Sequence, residues 1–452
     1  MAFYSKAFLP LLAALFLVTG AHAAAAQTII RDTEIEEYMA EWFAPVYKAA
    51  GMSPDQVKII LVQDPQINAF VAGGANIFFY TGLLQKTENP GEVIGVMAHE
   101  LGHITGGHLI RGREAMEQAS YESILGMILG VGAAIASGDG AAAPTIGAAG
   151  SSMAQRGFLK HSRTFESSAD QAALRYLETA QYDPRGLESF LKKLEGQELL
   201  ASSQQSEYVR SHPLTRSRVD TIRAAAEKSP YSGKGWPEKW QAQHRMMLAK
   251  ITGYITPQQV AWHYDERDVS REALTARAMA AYRTNDVAKA LRISDQMLAL
   301  EPDNPYFLEL RGQMLMDFGR VKDAIPFYQR AVTKKPDAGL IRIPLAHAQI
   351  ETAGNDKAKL QQAVQNLKLA HKSEPRSPRL HRLMATAYGK MGDEPRAKLH
   401  LAEEAVLQAR YDTGAAQAKA ARAGLPAGSP DWIRAGDILN YVEVTRVNHR
   451  KR

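Results

Sequence analysis

Two histidines four residues apart, with a glutamate between them, give the chain its clearest chemical signal. His99, Glu100 and His103 lie in the run His-Glu-Leu-Gly-His. On a helix, residues i and i+4 share one face, so the two imidazoles can hold one metal ion. Zinc lowers the pKa of a bound water to about 7, and the intervening carboxylate can remove its proton. The motif predicts metal-assisted hydrolysis; the alternative is a pair of core histidines beside an unrelated acid.

The surrounding segments predict a buried helix that follows a small sheet. Asn89-Pro90-Gly91 is a helix start signal, and apolar residues at helical spacing continue over residues 92–98. Apolar residues also recur at helical spacing over residues 28–50. An edge strand beside a metal site can bind an extended peptide by strand addition. Runs of β-branched and aromatic residues around a Gly-rich turn predict strands at residues 57–62, 67–70 and 77–80.

Two histidines need at least one further ligand, and a later segment offers it. Residues 162–177 predict a helix on which Glu166 and Asp170, at i and i+4, share a face. Glu166 can bind the metal while Asp170 holds a ligand histidine through its other ring nitrogen. Acids near a helix N-terminus are also common because of the helix dipole alone. The metzincin pattern fails because its third histidine would fall at Leu109, which leaves His108 as a surface residue or a neighbour of the ligands.

The N-terminus predicts a secretory signal peptide over residues 1–26. Lys6 supplies the positive charge, residues 8–19 the apolar run and Ala21-His22-Ala23 the cleavage site. The sequence has no cysteine, which excludes a lipid-modified cysteine anchor, a cysteine nucleophile and thiolate ligands. A net charge of +6 is spread over 452 residues without an aromatic-interleaved basic patch, so no nucleic-acid partner is expected. These features predict a protein of the bacterial periplasm.

Residues 124–152 combine an apolar run with a Gly/Ala-rich stretch. The apolar part is too short to span a bilayer. One interpretation is a buried helix followed by a loop. A second interpretation, which we favour, is a lid over the active site. A third is a surface that makes peripheral contact with a membrane or with unfolded substrate.

The second half of the chain contains an internal repeat. Acidic or basic residues precede Pro302, Pro336 and Pro375, which lie 34 and then 39 residues apart. This period, with its turns and small residues in phase, is the tetratricopeptide signature. Stacked helix pairs of this kind present a concave surface, so we expect the repeats to bind proteins. An alanine follows the turn of each unit, at Ala290, Ala324, Ala363 and Ala397.

Several ordered motifs over about residues 35–225 resemble a known family, the gluzincin metallopeptidases related to HtpX and the CAAX prenyl endopeptidases. The chain departs from the integral-membrane branches of that family because it lacks their transmembrane helices. The motifs are His-Glu-Leu-Gly-His at 99–103, Ser-Arg-x-x-Glu-x-x-x-Asp at 162–170, Asn68-Ala69-Phe70 followed by Gly73-Gly74, and Ser-His-Pro-Leu-Thr at 211–215.

The resemblance implies one zinc ion per chain, held by His99, His103 and Glu166. It also implies that Glu100 is the general base and that Asp170 supports a ligand without binding the metal. The substrate would lie extended along the strand that carries Asn68, Ala69 and Phe70.

The resemblance also places the histidine of the His-Pro step, His212, at the active site. There it either stabilises the developing oxyanion or occupies the fourth zinc position and keeps the enzyme latent. The residues alone favour a helix that begins at the His-Pro step. Arg218 either pairs with a carboxylate near the site or lies on a solvated helix face, and His161 is an outside candidate.

We expect an α+β fold that is mostly helical. A zincin-type metalloprotease domain with a small sheet would cover residues 27–255, an α-solenoid of tetratricopeptide helix pairs 256–410, and a tail 411–452. The expected function is zinc-dependent cleavage of misfolded or stalled exported proteins in outer-membrane protein assembly. The expected partners are unfolded outer-membrane proteins and, through the repeats, the assembly machinery. The alternatives are a chaperone or assembly factor with a latent zinc site, and a scaffold whose repeats do the work.

Overall fold

A computed structural model describes residues 28–108 and 162–450 of the chain. The predicted signal peptide, the Gly/Ala-rich segment at 124–152 and His161 lie outside these residues. The described chain is mostly helical and contains one four-stranded sheet, which confirms the expected fold class. Among its helices, none combines the length and apolar character that crossing a membrane requires.

The sheet has the strand order β1-β2-β4-β3. β2 and β4 are parallel, whereas β1 and β3 are antiparallel edge strands. The three predicted strands are confirmed, although β3 begins and ends two residues later than expected. The strands are β1 Thr28–Ile30, β2 Lys58–Gln63, β3 Ala69–Ala72 and β4 Asn76–Tyr80.

The first residues of the helix predicted over 28–50 form a strand instead, so that part of the prediction is wrong. Helix α1 is Thr33–Ala49. The Asp32 side chain caps it by accepting a hydrogen bond of 2.9 Å from the Ile35 N–H. Asp32, as the N-cap, has an extended backbone, so the helix cannot begin before it. Residues 28–30 therefore pair with β2.

Helix α3 carries the His-Glu-Leu-Gly-His motif and lies in the centre of the first domain. It begins as predicted: the Asn89 side chain accepts a hydrogen bond from the Glu92 N–H, and Pro90 takes the first position. Residues 90–103 are all buried, which explains their apolar composition. The helices of this region are α2 Thr81–Lys86, α3 Pro90–Thr105, α4 Ser162–Thr179, α5 Arg185–Lys193, α6 Glu207–Ser211, α7 Arg216–Lys228 and α8 Glu238–Ile255.

The repeat region is a stack of antiparallel helix pairs, as the in-phase motifs predict. The alanines of that pattern are buried between paired helices. Residues 411–450 add one further pair. After the short helix α9, Val260–His263, the pairs are α10 Arg271–Arg283 with α11 Val287–Leu300, α12 Pro305–Asp317 with α13 Val321–Lys334, α14 Gly339–Ala353 with α15 Lys357–Ala370, α16 Pro378–Met391 with α17 Glu394–Leu407, and α18 Tyr411–Gly424 with α19 Pro430–Arg450.

The first repeats pack directly on the domain that carries α3. One cluster of buried apolar residues extends from Ile35 in α1 to Met314 in α12. At a separate contact further along the stack, Arg31 makes two hydrogen bonds of 2.8 and 3.0 Å to the carboxylate of Glu374, which follows α15. The predicted domain boundaries at 255/256 and 410/411 stay predictions.

Candidate active site

Helix α3 presents His99 and His103 on one face, one turn apart. Their Nε2 atoms lie 3.1 Å from each other, and both side chains are buried. Two nitrogen ligands of a tetrahedral zinc ion lie roughly 3.3 Å apart, because each Zn–N bond is about 2.0–2.1 Å. The separation therefore fits two ligands of one ion.

Helix α4 brings Glu166 to the same point. Its carboxylate oxygens lie 3.3 Å from His99 Nε2 and 3.3 Å from His103 Nε2. The approach depends on Gly102, because a Cβ there would lie 2.7 Å from the Ala169 carbonyl oxygen. The glycine inside the motif thus lets α3 and α4 pack closely enough for the carboxylate to reach both histidines.

His212 reaches this group from the C-terminal end of α6. Its Nδ1 lies 3.3 Å from His99 Nε2 and 3.2 Å from a Glu166 oxygen. Its Nε2 lies 3.2 Å from the Ala69 carbonyl oxygen of edge strand β3. The His-Pro step does not begin a helix, since α7 starts only at Arg216 after Thr215, so the helix-start interpretation is wrong.

Three imidazoles and one carboxylate therefore converge in the protein interior. The possible ligand atoms of His99, His103, Glu166 and His212 all lie within 4.8 Å of one another. Nitrogen and oxygen donors at this spacing suit a first-row divalent ion such as zinc. Because a buried carboxylate needs a compensating charge, the donor set fits a bound cation.

Asp170 and Arg218 form a buried layer behind the histidines. Asp170 Oδ1 lies 2.9 Å from His99 Nδ1, the ring nitrogen that faces away from the other donors. Arg218 donates two hydrogen bonds, of 2.7 and 2.8 Å, to the Asp170 carboxylate. It also lies 3.0 Å from a Glu166 oxygen. Of the two alternatives for Arg218, the structure thus places it beside carboxylates and not on a solvated face.

Opposing effects set the charges of the two carboxyl groups. Burial raises the pKa of Glu166, but the neighbouring His212 and hydrogen bonds with the histidines hold it well below its ordinary value. Burial likewise raises the pKa of Asp170, and hydrogen bonds with Arg218 and His99 outweigh that effect and lower it. Both groups are therefore negatively charged at neutral pH.

Glu100 stands apart from these contacts. It is fully buried, and neither carboxylate oxygen has a hydrogen-bond partner within the described part of the chain. It does make an ion-pair contact with His212, whose Nε2 lies 3.4 Å from Glu100 Oε1. A buried carboxylate without donors is available to accept a proton from a water molecule at the site.

The three residues of the predicted substrate strand occupy different positions. The Ala69 carbonyl faces His212, while the Asn68 amide donates a hydrogen bond of 3.1 Å to Glu207. The Phe70 ring stacks on Phe78, on the opposite face of the sheet, because successive side chains alternate along a strand.

The sequence left one neighbour of the site open, His108, and missed another, Tyr208. His108, left open between surface and ligand neighbour, is buried, with its Nδ1 3.0 Å from His103 Nδ1. Tyr208 packs its ring 4.7 Å from that of His212, and its N–H donates to the Ile67 carbonyl. The available signal was spacing: Tyr208 precedes His212 by four residues on a helix, which places both on one face.

Comparisons with known proteins agree with this geometry. The model of peptidase family M48 matches residues 30–226, and a tetratricopeptide repeat model matches residues 275–339. The chain is 26% identical over 405 residues to a beta-barrel assembly-enhancing protease of Yersinia pestis, which covers 87% of this chain and 79% of the relative. The protein of the same name from Escherichia coli is 25% identical over 328 residues, 72% of this chain and 66% of the relative. The mitochondrial metalloendopeptidase OMA1 of Arabidopsis thaliana is 29% identical over 168 residues, 37% and 31% of the two chains.

The buried donor set, the helical fold and these matches define a metalloprotease that carries tetratricopeptide repeats. Residues 30–226 are thus similar to the domain of peptidase family M48. The resemblance to the HtpX-related metallopeptidases is confirmed. The predicted order of signal peptide, protease domain and repeats also resembles proteins of the BepA type, and this likeness is confirmed.

Proposed function

We propose that the protein is a zinc metalloendopeptidase of the bacterial periplasm that cleaves misfolded or stalled exported proteins. The observation that carries this proposal is the convergence of His99, His103 and Glu166 next to Glu100, whose carboxylate has no hydrogen-bond partner in the described residues. Imidazole and carboxylate donors suit zinc, and the chain has no cysteine that could add a thiolate ligand.

In this proposal His99, His103 and Glu166 hold one zinc ion per chain. When bound, zinc supplies Lewis-acid chemistry, since it acidifies water and polarises a carbonyl group. Glu100 accepts the proton of the attacking water and then donates it to the leaving amine. The Asp170 carboxylate, 2.9 Å from His99 Nδ1, would orient this imidazole so that its Nε2 faces the other donors.

The substrate chain would lie along the edge strand β3, near Asn68, Ala69 and Phe70. The Ala69 carbonyl faces His212, so a peptide paired with this edge passes beside the ligand set. His212 would have to move from Ala69 before a substrate amide could take its place.

Metal analysis tests the proposal directly. We expect one zinc ion per chain in the mature protein, and casein cleavage that is lost on chelation and restored by added zinc. His103→Ala is expected to lose the zinc, because it removes a ligand. The matched control His263→Ala changes an exposed histidine of α9, and this variant should keep its zinc. A wild-type protein without zinc would overturn the proposal, and zinc without cleavage in any variant would favour a scaffold or chaperone.

Replacement of His212 distinguishes its two proposed roles. His212 Nδ1 lies as close to Glu166 and His99 as a fourth ligand would, which favours a latent state. We therefore expect His212→Ala to raise casein cleavage several-fold with unchanged zinc content, again with His263→Ala as the control. If His212 stabilises the oxyanion instead, the same variant loses about 10²–10³-fold in kcat, and the latent-state proposal fails.

We further propose that the repeats recruit substrate or dock the enzyme on the machinery that assembles outer-membrane proteins. The observations in favour are the repeat stack itself, the secretory pattern at residues 1–26 and the names of the bacterial relatives. The domain boundaries proposed are 27–255 for the protease, 256–410 for the repeats and 411–452 for the tail.

The second candidate is a chaperone or assembly factor whose zinc site is kept latent. The position of His212 within the ligand set is the observation that favours it. The two functions separate in cells that carry Glu100→Gln in place of the wild-type chain. If outer-membrane assembly remains normal, the physiological work does not require proteolysis.

A further inference from the structure

A second group of histidines lines a cavity among the last helices of the repeat stack. The cavity has a volume of about 380 Å³. It opens between α15, α16, α17 and α19, so four different helices contribute to its walls. The charged and imidazole side chains that line it are Lys368, His371, His381, Arg396, His400, Asp431 and Arg434.

His381 is the most deeply buried of these residues, with 1% of its surface exposed. Its Nδ1 lies 3.2 Å from His400 Nδ1. Its Nε2 is buried and has no hydrogen-bond partner in the residues that the structure describes. Since an unsatisfied buried nitrogen is costly, this atom points to a ligand that the cavity takes up.

The charges around the cavity are mostly positive. Arg396 is neutralised by Asp431, to which it donates a hydrogen bond of 2.7 Å, and Arg434 pairs with Glu403. Lys368 is exposed and takes part in none of the ion pairs found within 28–108 and 162–450. Together with the imidazoles it leaves an excess of hydrogen-bond donors, which favours an anion as the ligand.

The pKa values of the histidines agree with this assignment. Burial, Arg434 and Lys368 lower the pKa of His400 to about 4, although Asp431 opposes the shift. Burial, His400, His371 and Arg434 lower the pKa of His381 to about 3, against the effect of the Pro375 carbonyl. Both imidazoles are therefore neutral at neutral pH, and each can donate one ring N–H.

A metal ion fits the cavity less well. Two nitrogens 3.2 Å apart resemble a pair of ligands, but no third donor joins them at bonding distance. Within the described residues, only the set around His99 and Glu166 meets that condition. The neighbouring Lys368, Arg396 and Arg434 would also repel a cation.

We propose that this cavity binds a phosphate group, either as free phosphate or as a small phosphate monoester. Donors that approach from four helices suit a tetrahedral oxyanion better than a planar carboxylate, which a single Arg fork can hold. The volume exceeds that of free phosphate, and Met384 and Tyr388 supply an apolar wall for an organic substituent. This site goes beyond the proposed proteolytic function and does not depend on it.

Calorimetric titration of the full-length mature protein tests the proposal, with inorganic phosphate and glycerol phosphate as separate probes. We expect Lys368→Gln and His400→Gln each to weaken binding by about tenfold or more, because each removes a hydrogen bond to a charged ligand. Lys357→Gln is the matched control: it removes the same charge from the exposed first turn of the same helix. Casein cleavage should be unchanged in Lys368→Gln.

The two probes separate the sources of the phosphate group. Tighter binding of the ester indicates a small metabolite, and equal binding indicates free phosphate. Either result supports the site if the cavity variants bind the probe more weakly. Thermal unfolding shows whether His400→Gln folds, and Lys368→Gln, at an exposed position, keeps the test valid if it does not. Binding that survives both variants, or stoichiometric zinc in this cavity without phosphate binding, overturns the proposal.

Discussion

Glu100→Gln is expected to lower the kcat of peptide cleavage by about 10²–10⁴-fold, the range that a general base contributes. Glutamine has nearly the same shape as glutamate but cannot accept the proton of the attacking water. Because Glu100 has no hydrogen-bond partner among the described residues, the change breaks no hydrogen bond there. The measurement is kcat on an unfolded substrate, with zinc content and thermal stability recorded for the same preparation.

The control for this variant is Glu178→Gln, which makes the same chemical change at an exposed residue of α4. It should leave cleavage, zinc content and stability as they are in the wild-type protein. If Glu100→Gln keeps more than a tenth of the wild-type kcat, the role of this residue as general base is wrong. If it loses zinc, the residue holds the metal, and the ligand set proposed above must be revised.

Local patterns in the sequence were sufficient to predict the helix that carries the His-Glu-Leu-Gly-His motif and the helices of the repeats. Asn89 and Pro90 define the start of α3 by capping chemistry that acts within four residues. The in-phase alanines of the repeats report contacts between neighbouring helices of one pair. In both cases the information lies within about one turn or one repeat unit, which periodicity captures.

Contacts between residues far apart in the sequence were harder to predict. His212 and Arg218 come 113 and 48 residues after His99 and Asp170, the residues they meet. From spacing alone His212 looked like the start of a helix, and only the family resemblance directed attention to it. The strand at residues 28–30 was missed for a related reason: pairing with β2 is a tertiary contact, and no local signal precedes it.

The helices that carry the site pack closely together. Burial of the charged residues of the site would by itself oppose this packing. α3 is buried on every side, so its histidines and Glu100 lie in a medium where unpaired charges are costly. Gly102 permits the approach of α4, and α4 supplies both acids of the site, Glu166 and Asp170. The negative charge of Asp170, the second of these acids, requires a positively charged side chain beside it. Arg218 of α7 provides that charge.

Replacement of that cation should therefore cause the largest loss of stability in the domain. We expect Arg218→Met to lower the free energy of unfolding by about 3–5 kcal/mol, the cost of breaking a buried ion pair by removing one partner. The methionine retains much of the volume but leaves Asp170 buried without its two hydrogen bonds from the guanidinium. Denaturant unfolding at neutral pH measures the effect, in zinc-loaded and in chelated protein.

Arg223→Met, five residues further along α7, is the matched control. Arg223 pairs with Glu188 and Asp220 at 3.2 and 3.1 Å, but its side chain is 37% exposed. An exposed pair contributes about 0–1 kcal/mol, because water screens the charges and the side chains lose entropy. The double variant Arg218→Met with Asp170→Asn should recover part of the lost stability, since it removes the unpaired charge. Equal losses from Arg218→Met and Arg223→Met would mean that the Asp170–Arg218 pair does not hold the site together.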